Sequence, residues 1–327
     1  MLYPFVFKPV FQERIWGGRN IERLYQKELP ANVPIGESWE ICDRADVQSE
    51  IANGPLRGKT LHWLMQHHRA DLMGKAPALN DRFPLLIKIL DAEEKLSLQV
   101  HPPANKAAAL GGEPKTEMWY IAQARKNAEL YVGLRKNVSR AEFESGISDG
   151  TVAKCFHRIN VRTGDAMFLP SGRVHAIGAG LVIFEIQQNS DTTYRVFDWN
   201  RVDAQGQPRQ LHVKESLECI DFHDFEPEIV RADIPEVVPA NLHIQPLVEN
   251  PLFDVEVVTI VPPSKIDYLL SVPRVIAAVE GSVLIHHATE PVTLSAGQFC
   301  LVPACLGNLA IEASDSAKIL VASPGEA

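Results

Sequence analysis

The apolar residues of this chain occur in many short runs, and proline and glycine separate one run from the next. The sequence contains 23 Pro and 20 Gly in 327 residues. Short apolar runs with turn residues between them are typical of an all-β sandwich or barrel. We therefore expect a mainly β fold, and a chain of this length is expected to form two domains rather than one core.

The positions of the runs predict individual elements. Candidate strands are Pro84–Leu90, Leu96–Val100, Met118–Ala122, Glu129–Gly133, Ala166–Leu169, Leu181–Gln187, Val275–Val279, Ser282–His286 and Gln298–Val302. Helices are expected at Thr60–Met73, from Ser139 toward Ile147, at Ala104–Leu110 and at Val213–Ile220. The first of these helices repeats apolar residues at helical spacing, and the second begins with a capping box.

The segment Gly164–His175 has the spacing of a strand that ends in a tight turn. Five residues separate Gly164 from Pro170, and Gly172 precedes His175 by three positions. Glycine permits unusual backbone angles, proline fixes φ, and Gly172 can adopt a positive φ. We expect this turn to direct His175 into the interior of a small barrel.

Three separate segments together predict a metal site on this scaffold. Gln99 and His101 are two residues apart on a predicted strand, so their side chains point to the same face. Glu117 adds a hard oxygen ligand, and His175 lies at the end of the turn. Two imidazoles and a carboxylate suit Zn²⁺, with one position left open for water or substrate.

The turn spacing recurs near the C-terminus without its histidine. Gly297 is followed after five residues by Pro303, and Asn308 occupies the place that His175 has in the first copy. This predicts a second barrel that carries no metal. The predicted organisation is a catalytic, metal-binding domain with helical insertions at 1–224, an acidic and Pro-rich connector at 225–250, and a degenerate domain at 251–327.

Charge and cysteine content argue against several classes of protein. The net charge of −9 disfavours a nucleic-acid partner, which requires a basic face. Five scattered cysteines without CxxC spacing indicate reduced thiols in a cytoplasmic protein. We expect no signal peptide in the short, proline-interrupted segment Met1–Val10 and no membrane-spanning run. The protein is expected to be a monomer or a weak homodimer.

The motifs together resemble those of the type I phosphomannose isomerases, in their short bacterial form, within the cupin superfamily. They are Trp16-Gly17-Gly18, Gly36–Glu40, Leu96–Pro102, Lys115–Met118, Leu169–Gly172 with His175, and Asp191–Arg195. Thr116 and Ala179 depart from the usual residues. The resemblance implies two jelly-roll barrels, the second degenerate, and zinc-dependent interconversion of mannose 6-phosphate and fructose 6-phosphate through an enediol(ate).

The same resemblance implies a ligand set. It places one zinc ion per chain on His101, Glu117 and His175. Gln99 is a further ligand through its amide oxygen, or it hydrogen-bonds to a water on the metal, because amides are weak ligands. Outside this context a lone strand histidine is best interpreted as a hydrogen-bonded core residue, and the motif positions of the two histidines reverse that interpretation.

Two cations are expected at the phosphosugar. The resemblance makes Arg195 the active-site arginine, able to orient phosphate or to stabilise the enediolate. Without the family resemblance, Arg195 is interpreted as a surface residue paired with Asp191 or Asp198. Lys88 interrupts an apolar strand, where an ammonium group is costly unless it faces a polar cavity or an anion. We expect Lys88 to contact the phosphate; the alternative is a strand-edge lysine that reaches solvent.

The sequence leaves the identity of the proton-transfer residue open. Lys115 lies two residues before Glu117 and would share its face in an extended segment, where it could hold the substrate or act as acid and base. Zinc and burial would lower its pKa. Lys115, Asp191 and a hydroxide on the metal are the three candidates for the base.

Two other functions fit parts of the pattern. An iron-dependent cupin dioxygenase uses the same set of two histidines and one carboxylate. A non-catalytic sugar-binding or regulatory cupin would lack a metal ligand or the arginine, and this sequence retains both. Metal analysis with an isomerase assay separates these classes.

Overall fold

Strands dominate the fold, which confirms the mainly β prediction. The computed structural model describes residues 1–77, 80–202, 206–231 and 241–325. The strands of the N-terminal part are β1 (Val10–Gly18), β2 (Ile35–Ile41), β3 (Leu85–Ala92), β4 (Leu98–Val100), β5 (Glu117–Ala124), β6 (Glu129–Leu134), β7 (Phe156–Asn160), β8 (Ala166–Leu169), β9 (His175–Ile177), β10 (Leu181–Gln188) and β11 (Tyr194–Phe197). Those of the C-terminal part are β12 (Leu242–Asn250), β13 (Phe253–Ile260), β14 (Lys265–Leu269), β15 (Arg274–Glu280), β16 (Ser282–Ile285), β17 (Val292–Ser295), β18 (Phe299–Val302), β19 (Asn308–Ala313) and β20 (Ala317–Pro324).

The helices are short and lie between strands. They are α1 (Asn20–Tyr25), α2 (Leu61–His67), α3 (Arg69–Met73), α4 (Ala104–Ala107), α5 (Arg140–Asp149) and α6 (Val213–Cys219). Ser139 caps α5 as predicted, since its hydroxyl accepts from the Glu142 amide. No helix among the described residues is long and apolar enough to cross a membrane.

The predicted helix over Thr60–Met73 is wrong as a single element. Thr60 caps α2, with its hydroxyl accepting from the Trp63 amide at 3.1 Å. The helix then ends because His68 has φ −138° and ψ 25°, outside the helical region, and α3 begins at Arg69. The break divides the apolar face into two short helices.

Strands β1–β11 form the first barrel from two antiparallel sheets. Their orders are β1-β2-β3-β10-β5-β8 and β11-β4-β9-β6-β7. Side chains from both sheets meet in one core, which includes Leu90, Trp119, Ile183, Val132 and Ile177. Because alternate residues of a strand face opposite sides, this core defines the inward positions of β3, β5 and β10.

Strands β12–β20 form the second barrel in the same way. The sheet orders are β12-β13-β20-β15-β18 and β14-β19-β16-β17. Its interior is an apolar cluster that includes Val258, Ile276, Ile319, Val283 and Ile311. Strand β12 lies inside the segment predicted as a connector, and residues 232–240 of that segment lie outside the described ranges. The division at 1–224, 225–250 and 251–327 stays a prediction.

The larger sheets of the two barrels pack against each other through their outward faces. Ile87, Phe184, Val255 and Leu320 share one buried cluster, and the rings of Phe184 and Phe299 lie 5.3 Å apart. Since Ile87 and Phe184 face the second barrel, the next residues along β3 and β10 face the interior of the first. Those residues are Lys88 and Glu185, and both are buried.

Candidate metal centre and active-site cavity

Three buried side chains converge inside the first barrel. His101, Glu117 and His175 each offer a ligand atom, and these atoms lie within 4.8 Å of one another. Glu117 Oε2 is 3.4 Å from His101 Nε2, and Glu117 Oε1 is 3.4 Å from His175 Nε2. The structure therefore brings together the three residues that the separate sequence segments predicted.

Local backbone geometry places these residues. Glu117 begins β5 and His175 begins β9. Gly172 has φ +91°, as the turn spacing predicted. Its amide donates to the His101 carbonyl at 2.9 Å, which ties the turn before β9 to the end of β4. A side chain at this φ would strain the turn, so the glycine is required where two ligand-bearing segments meet.

The outer nitrogen of each imidazole has a backbone partner. His101 Nδ1 lies 2.8 Å from the Thr192 carbonyl, and His175 Nδ1 lies 3.0 Å from the Arg173 carbonyl. A carbonyl only accepts, so each Nδ1 carries the proton and each Nε2 presents its lone pair to the centre. Burial lowers the pKa of His175 to about 3, which keeps this imidazole neutral. Neutral imidazoles are the form that binds metals.

The centre fits a divalent cation. Among the described residues, His101 Nε2 and both carboxylate oxygens of Glu117 are buried without a hydrogen-bond partner. Buried polar atoms of this kind are rare because leaving them unpaired is costly. Burial alone would raise the pKa of Glu117, but Lys115 and His101 hold it well below its ordinary value, so the carboxylate is ionised. Two imidazoles and a carboxylate match zinc with one open position.

Gln99 lies beside the centre in a different orientation from the predicted one. It pairs with His175 across β4 and β9, and its Nε2 is 3.4 Å from His175 Nε2. Its oxygen accepts from the Ser97 hydroxyl at 3.3 Å. A half-turn of the amide would exchange its oxygen and nitrogen and direct the oxygen to the centre.

A cavity of about 400 Å³ opens beside the three ligands. It is lined by Arg14, Trp16, Glu37, Lys88, Leu90, Leu96, Ser97, Gln99, Lys115, Trp119, Ile177, Glu185, Asp191, Thr193, Arg195 and Arg209. The predicted residues Lys88, Gln99, Lys115, Asp191 and Arg195 all belong to this lining. Its size is that of a small-molecule site.

Lys88 faces the cavity but is surrounded by acidic groups. Its Nζ lies 3.5 Å from Glu37, 3.6 Å from Glu185 and 3.6 Å from Asp191, and it stands 4.8 Å from the centre of the Trp39 ring. Burial opposes the charge of Lys88, but the carboxylates raise its pKa, so the ammonium is retained. Its charge is therefore already compensated, which weakens the expectation that Lys88 contacts phosphate.

Lys115 and Asp191 occupy different depths. Lys115 is buried, and its Nζ lies 2.7 Å from Glu117 Oε2 as an ion pair whose angles do not meet those of a hydrogen bond. The side chain of Asp191 is 44% exposed at the cavity wall. Lys115 is thus next to the metal centre, whereas Asp191 can meet a substrate that enters from solvent.

Arg195 lies on β11 at the other side of the cavity. Its Nε donates to the Ser97 hydroxyl at 3.3 Å, and its Nη1 donates to the Gln210 carbonyl at 2.7 Å. Among the described residues it forms no ion pair, so the alternative pairing with Asp191 or Asp198 is not what the structure has. Ser97 in turn contacts Gln99, which links the arginine to the metal centre.

Sequence reasoning gave no role to several polar residues of the lining, among them Glu185 and Arg209. Glu185 interrupts the apolar strand β10, the same signal that drew attention to Lys88 on β3. It accepts from the Trp119 indole at 3.0 Å, and burial raises its pKa to about 7 even though Lys115 opposes this. No periodic pattern in the sequence marks Arg209.

Comparisons with known proteins agree with the motifs. Residues 5–134 match the family model of the phosphomannose isomerase type I catalytic domain. The mannose-6-phosphate isomerase ManA of Bacillus subtilis is 44% identical over 67% of this chain and 68% of its own. A probable mannose-6-phosphate isomerase of the same organism, GmuF, is 36% identical over 95% of this chain and 97% of its own. A crystal structure of the Bacillus subtilis mannose 6-phosphate isomerase has 31% identity and a TM-score of 0.86, covering 98% of this chain and 99% of that one.

Proposed function

Because the chain belongs to the type I phosphomannose isomerase family, we propose that it interconverts mannose 6-phosphate and fructose 6-phosphate with one zinc ion per chain. The observation that carries this proposal is the convergence of buried ligand atoms on His101, Glu117 and His175 beside a cavity of about 400 Å³. Among the described residues, His101 Nε2 and both Glu117 oxygens have no hydrogen-bond partner. Gln99 would complete the ligand set after rotation of its amide.

The reaction requires ring opening, movement of a proton between C1 and C2, and stabilisation of an enediolate. Bound zinc would supply a Lewis acid that polarises the oxygens on the two reacting carbons. His101, Glu117 and His175 are buried, and electrostatic stabilisation is stronger in such a low-dielectric environment than in water.

The protein groups have separable tasks in this proposal. Lys115, charged beside Glu117, holds a proton at the sugar oxygen nearest the centre. Asp191 takes the proton from carbon, since it reaches the cavity from its wall. Lys88 binds sugar hydroxyls, and Arg195 stabilises the negative charge that develops during the reaction. Glu185 helps to keep Lys88 charged and in place.

The test is an assay that couples fructose 6-phosphate formation to a visible readout, with mannose 6-phosphate as substrate. We expect activity that a chelator removes and zinc restores. Oxygen consumption that depends on iron, without isomerisation, would instead favour the cupin dioxygenase. Binding of the phosphosugar without turnover at any metal content would favour a non-catalytic binding protein.

We further propose that the first domain, 1–224, carries all of the chemistry and that the second, 251–327, is structural. The five cysteines are free thiols, four of them buried, and this supports a cytoplasmic location. The proposed partner is the phosphosugar alone, with neither nucleic acid nor membrane, and the expected state is a monomer or weak homodimer.

A further inference from the structure

The cations that line the cavity differ in how far their charge is compensated. Arg14 donates to Glu37 at 2.9 Å, and Lys115 lies 2.7 Å from Glu117. Lys88 lies within 3.6 Å of three carboxylates. A phosphate group carries close to two negative charges, so it would gain little at this acidic end of the cavity.

The opposite end has an excess of positive charge. Arg209 donates to Asp198 through two nitrogens, its Nε at 2.6 Å and its Nη2 at 2.5 Å. Arg201 donates to the same carboxylate and to the Lys95 carbonyl, the latter at 2.6 Å. It also lies 4.0 Å from Glu94, whose side chain is 65% exposed. One buried carboxylate therefore serves two guanidinium groups. Only Arg209 of this pair lines the cavity, with 24% of its side chain exposed.

Backbone contacts hold the segment that follows Arg209 against β11, which belongs to the same sheet as β4 and β9. The His212 amide donates to the Arg195 carbonyl at 2.8 Å, and the Gln210 carbonyl accepts from the Arg195 guanidinium at 2.7 Å. Residues 209–212 are thus fixed beside β11. Burial lowers the pKa of Arg195, and the charge of Arg209 lowers it further, as expected for two cations that face a common space.

We infer that Arg209 is a phosphate-recognition residue, which binds the phosphate of the sugar together with Arg195 at the end of the cavity away from Lys88. Asp198 orients the Arg209 guanidinium and leaves one of its nitrogens, Nη1, for the ligand. A guanidinium prefers planar, multiple contacts to phosphate oxygens. This inference rests on the proposed isomerase function, because it assigns the phosphate end of that substrate.

The test measures KM and kcat for mannose 6-phosphate and the inhibition constant of inorganic phosphate as a competitive inhibitor. Arg209→Gln should raise KM and the phosphate inhibition constant by the same factor, about 10- to 100-fold, with a smaller change in kcat. Arg209→Lys should fall between Gln and wild type, since it keeps the charge but loses the fork. If the Gln variant does not fold, the Lys variant provides the same comparison.

Arg201→Gln is the matched control, because Arg201 shares Asp198 but does not line the cavity. Arg201→Gln should raise KM and the phosphate inhibition constant by a much smaller factor than Arg209→Gln does. Equal effects of the two variants would show that Arg209 acts only through its pairing with Asp198, as a structural residue, and would overturn the inference. An unchanged phosphate inhibition constant in Arg209→Gln would also overturn it. A wild type without isomerase activity would instead refute the proposed function.

Discussion

The two barrels of this chain share a strand order but differ in the residues that line their cavities. β10 lies between β3 and β5, and β20 lies between β13 and β15. On β10, Glu185 lies opposite Lys88, whereas on β20 Val321 lies opposite Glu256. The first barrel buries an ion pair where the second has one apolar and one acidic residue, beside a smaller cavity of about 350 Å³.

The ligand positions differ more strongly. β5 begins with Glu117, while β15 begins with Arg274, which donates to Ser323 at 2.8 Å. β9 begins with His175, while β19 begins with the exposed Asn308. A guanidinium has no lone pair for a metal. The second barrel thus retains the scaffold although different residues at a few positions remove the ligand set, so function resides in those positions.

The largest effect is expected from Glu117→Gln. The variant should lose zinc and lower isomerase activity by at least about 10³-fold, because it removes a charged ligand and the Lewis acid with it. Metal analysis and the coupled assay measure both. Arg274→Gln changes the matching position of the second barrel and should keep zinc and activity. Loss of zinc in Arg274→Gln, or its retention in Glu117→Gln, would break the comparison.

Lys88→Met tests the buried ion pair of the first barrel, at the position where the second barrel pairs Val321 with Glu256. The substitution removes the nearest cation from the buried Glu185, and one of two cations from Glu37, which keeps Arg14. We therefore expect the free energy of unfolding to fall by about 3–5 kcal/mol. Urea unfolding measures this.

Adding Glu185→Leu to Lys88→Met should recover part of the lost stability, because the pair at positions 88 and 185 would then carry no charge. The corresponding pair of the second barrel, Glu256 and Val321, has one charge instead of two. A stable Lys88→Met protein with a raised inhibition constant for inorganic phosphate would restore Lys88 as the phosphate contact.

Arg195→Ala is expected to lower kcat by about 10²-fold, since the residue stabilises charge that develops during the reaction. Arg195→Lys should recover part of this, because it retains the charge without the forked geometry. Steady-state kinetics separate kcat from KM. An effect confined to KM would remove Arg195 from the chemical step and leave it only in phosphate binding.

The smallest effect concerns the pH dependence of stability. Burial opposes ionisation of Glu37, but Lys88 and Arg14 lower its pKa from 4.5 to about 2. A lowered carboxyl pKa contributes stability above the ordinary value, and that stability is lost as pH falls through the folded-state value. Glu37→Gln should therefore cost about 1–3 kcal/mol at neutral pH, and the cost should shrink as pH falls from 4.5 toward 2.

Ile244 supplies the control for this pH dependence. Ile244 is on β12 and lies opposite Val258 of β13, just as Glu37 on β2 lies opposite Leu90 of β3. Ile244→Gln should change urea unfolding by the same amount at every pH. A pH-independent cost in Glu37→Gln would show that its carboxylate is not held by these cations.

The sequence was sufficient to predict the strands in which apolar residues alternate with polar ones or follow one another without a break. It was also sufficient to predict the metal ligands whose positions depend on the spacing of a turn. Gly172 and His175 are an example, because the positive φ and the strand after it are local properties. It was insufficient for β1, where Gln12, Glu13 and Arg14 leave no clear apolar pattern. The break at His68 was also missed, since apolar spacing does not report where one backbone angle leaves the helical region.

The electrostatics of the cavity could not be predicted from the sequence, for a different reason. Lys88 was recognised as a charge inside an apolar strand, but its partners Glu37, Glu185 and Asp191 come from distant segments. Only the strand order brings them together, and it changes the expected role of the lysine. Arg209 could not be identified because its importance depends on the carboxylate that it shares with Arg201.

We expect that the first barrel holds the metal and that the second does not. A crystal structure of the zinc-loaded protein, with anomalous data collected at the zinc absorption edge, tests it most directly. The expected result is one strong anomalous peak among His101, Glu117 and His175 and none between Arg274 and Asn308. A peak in the second barrel, or the absence of one in the first, would contradict it.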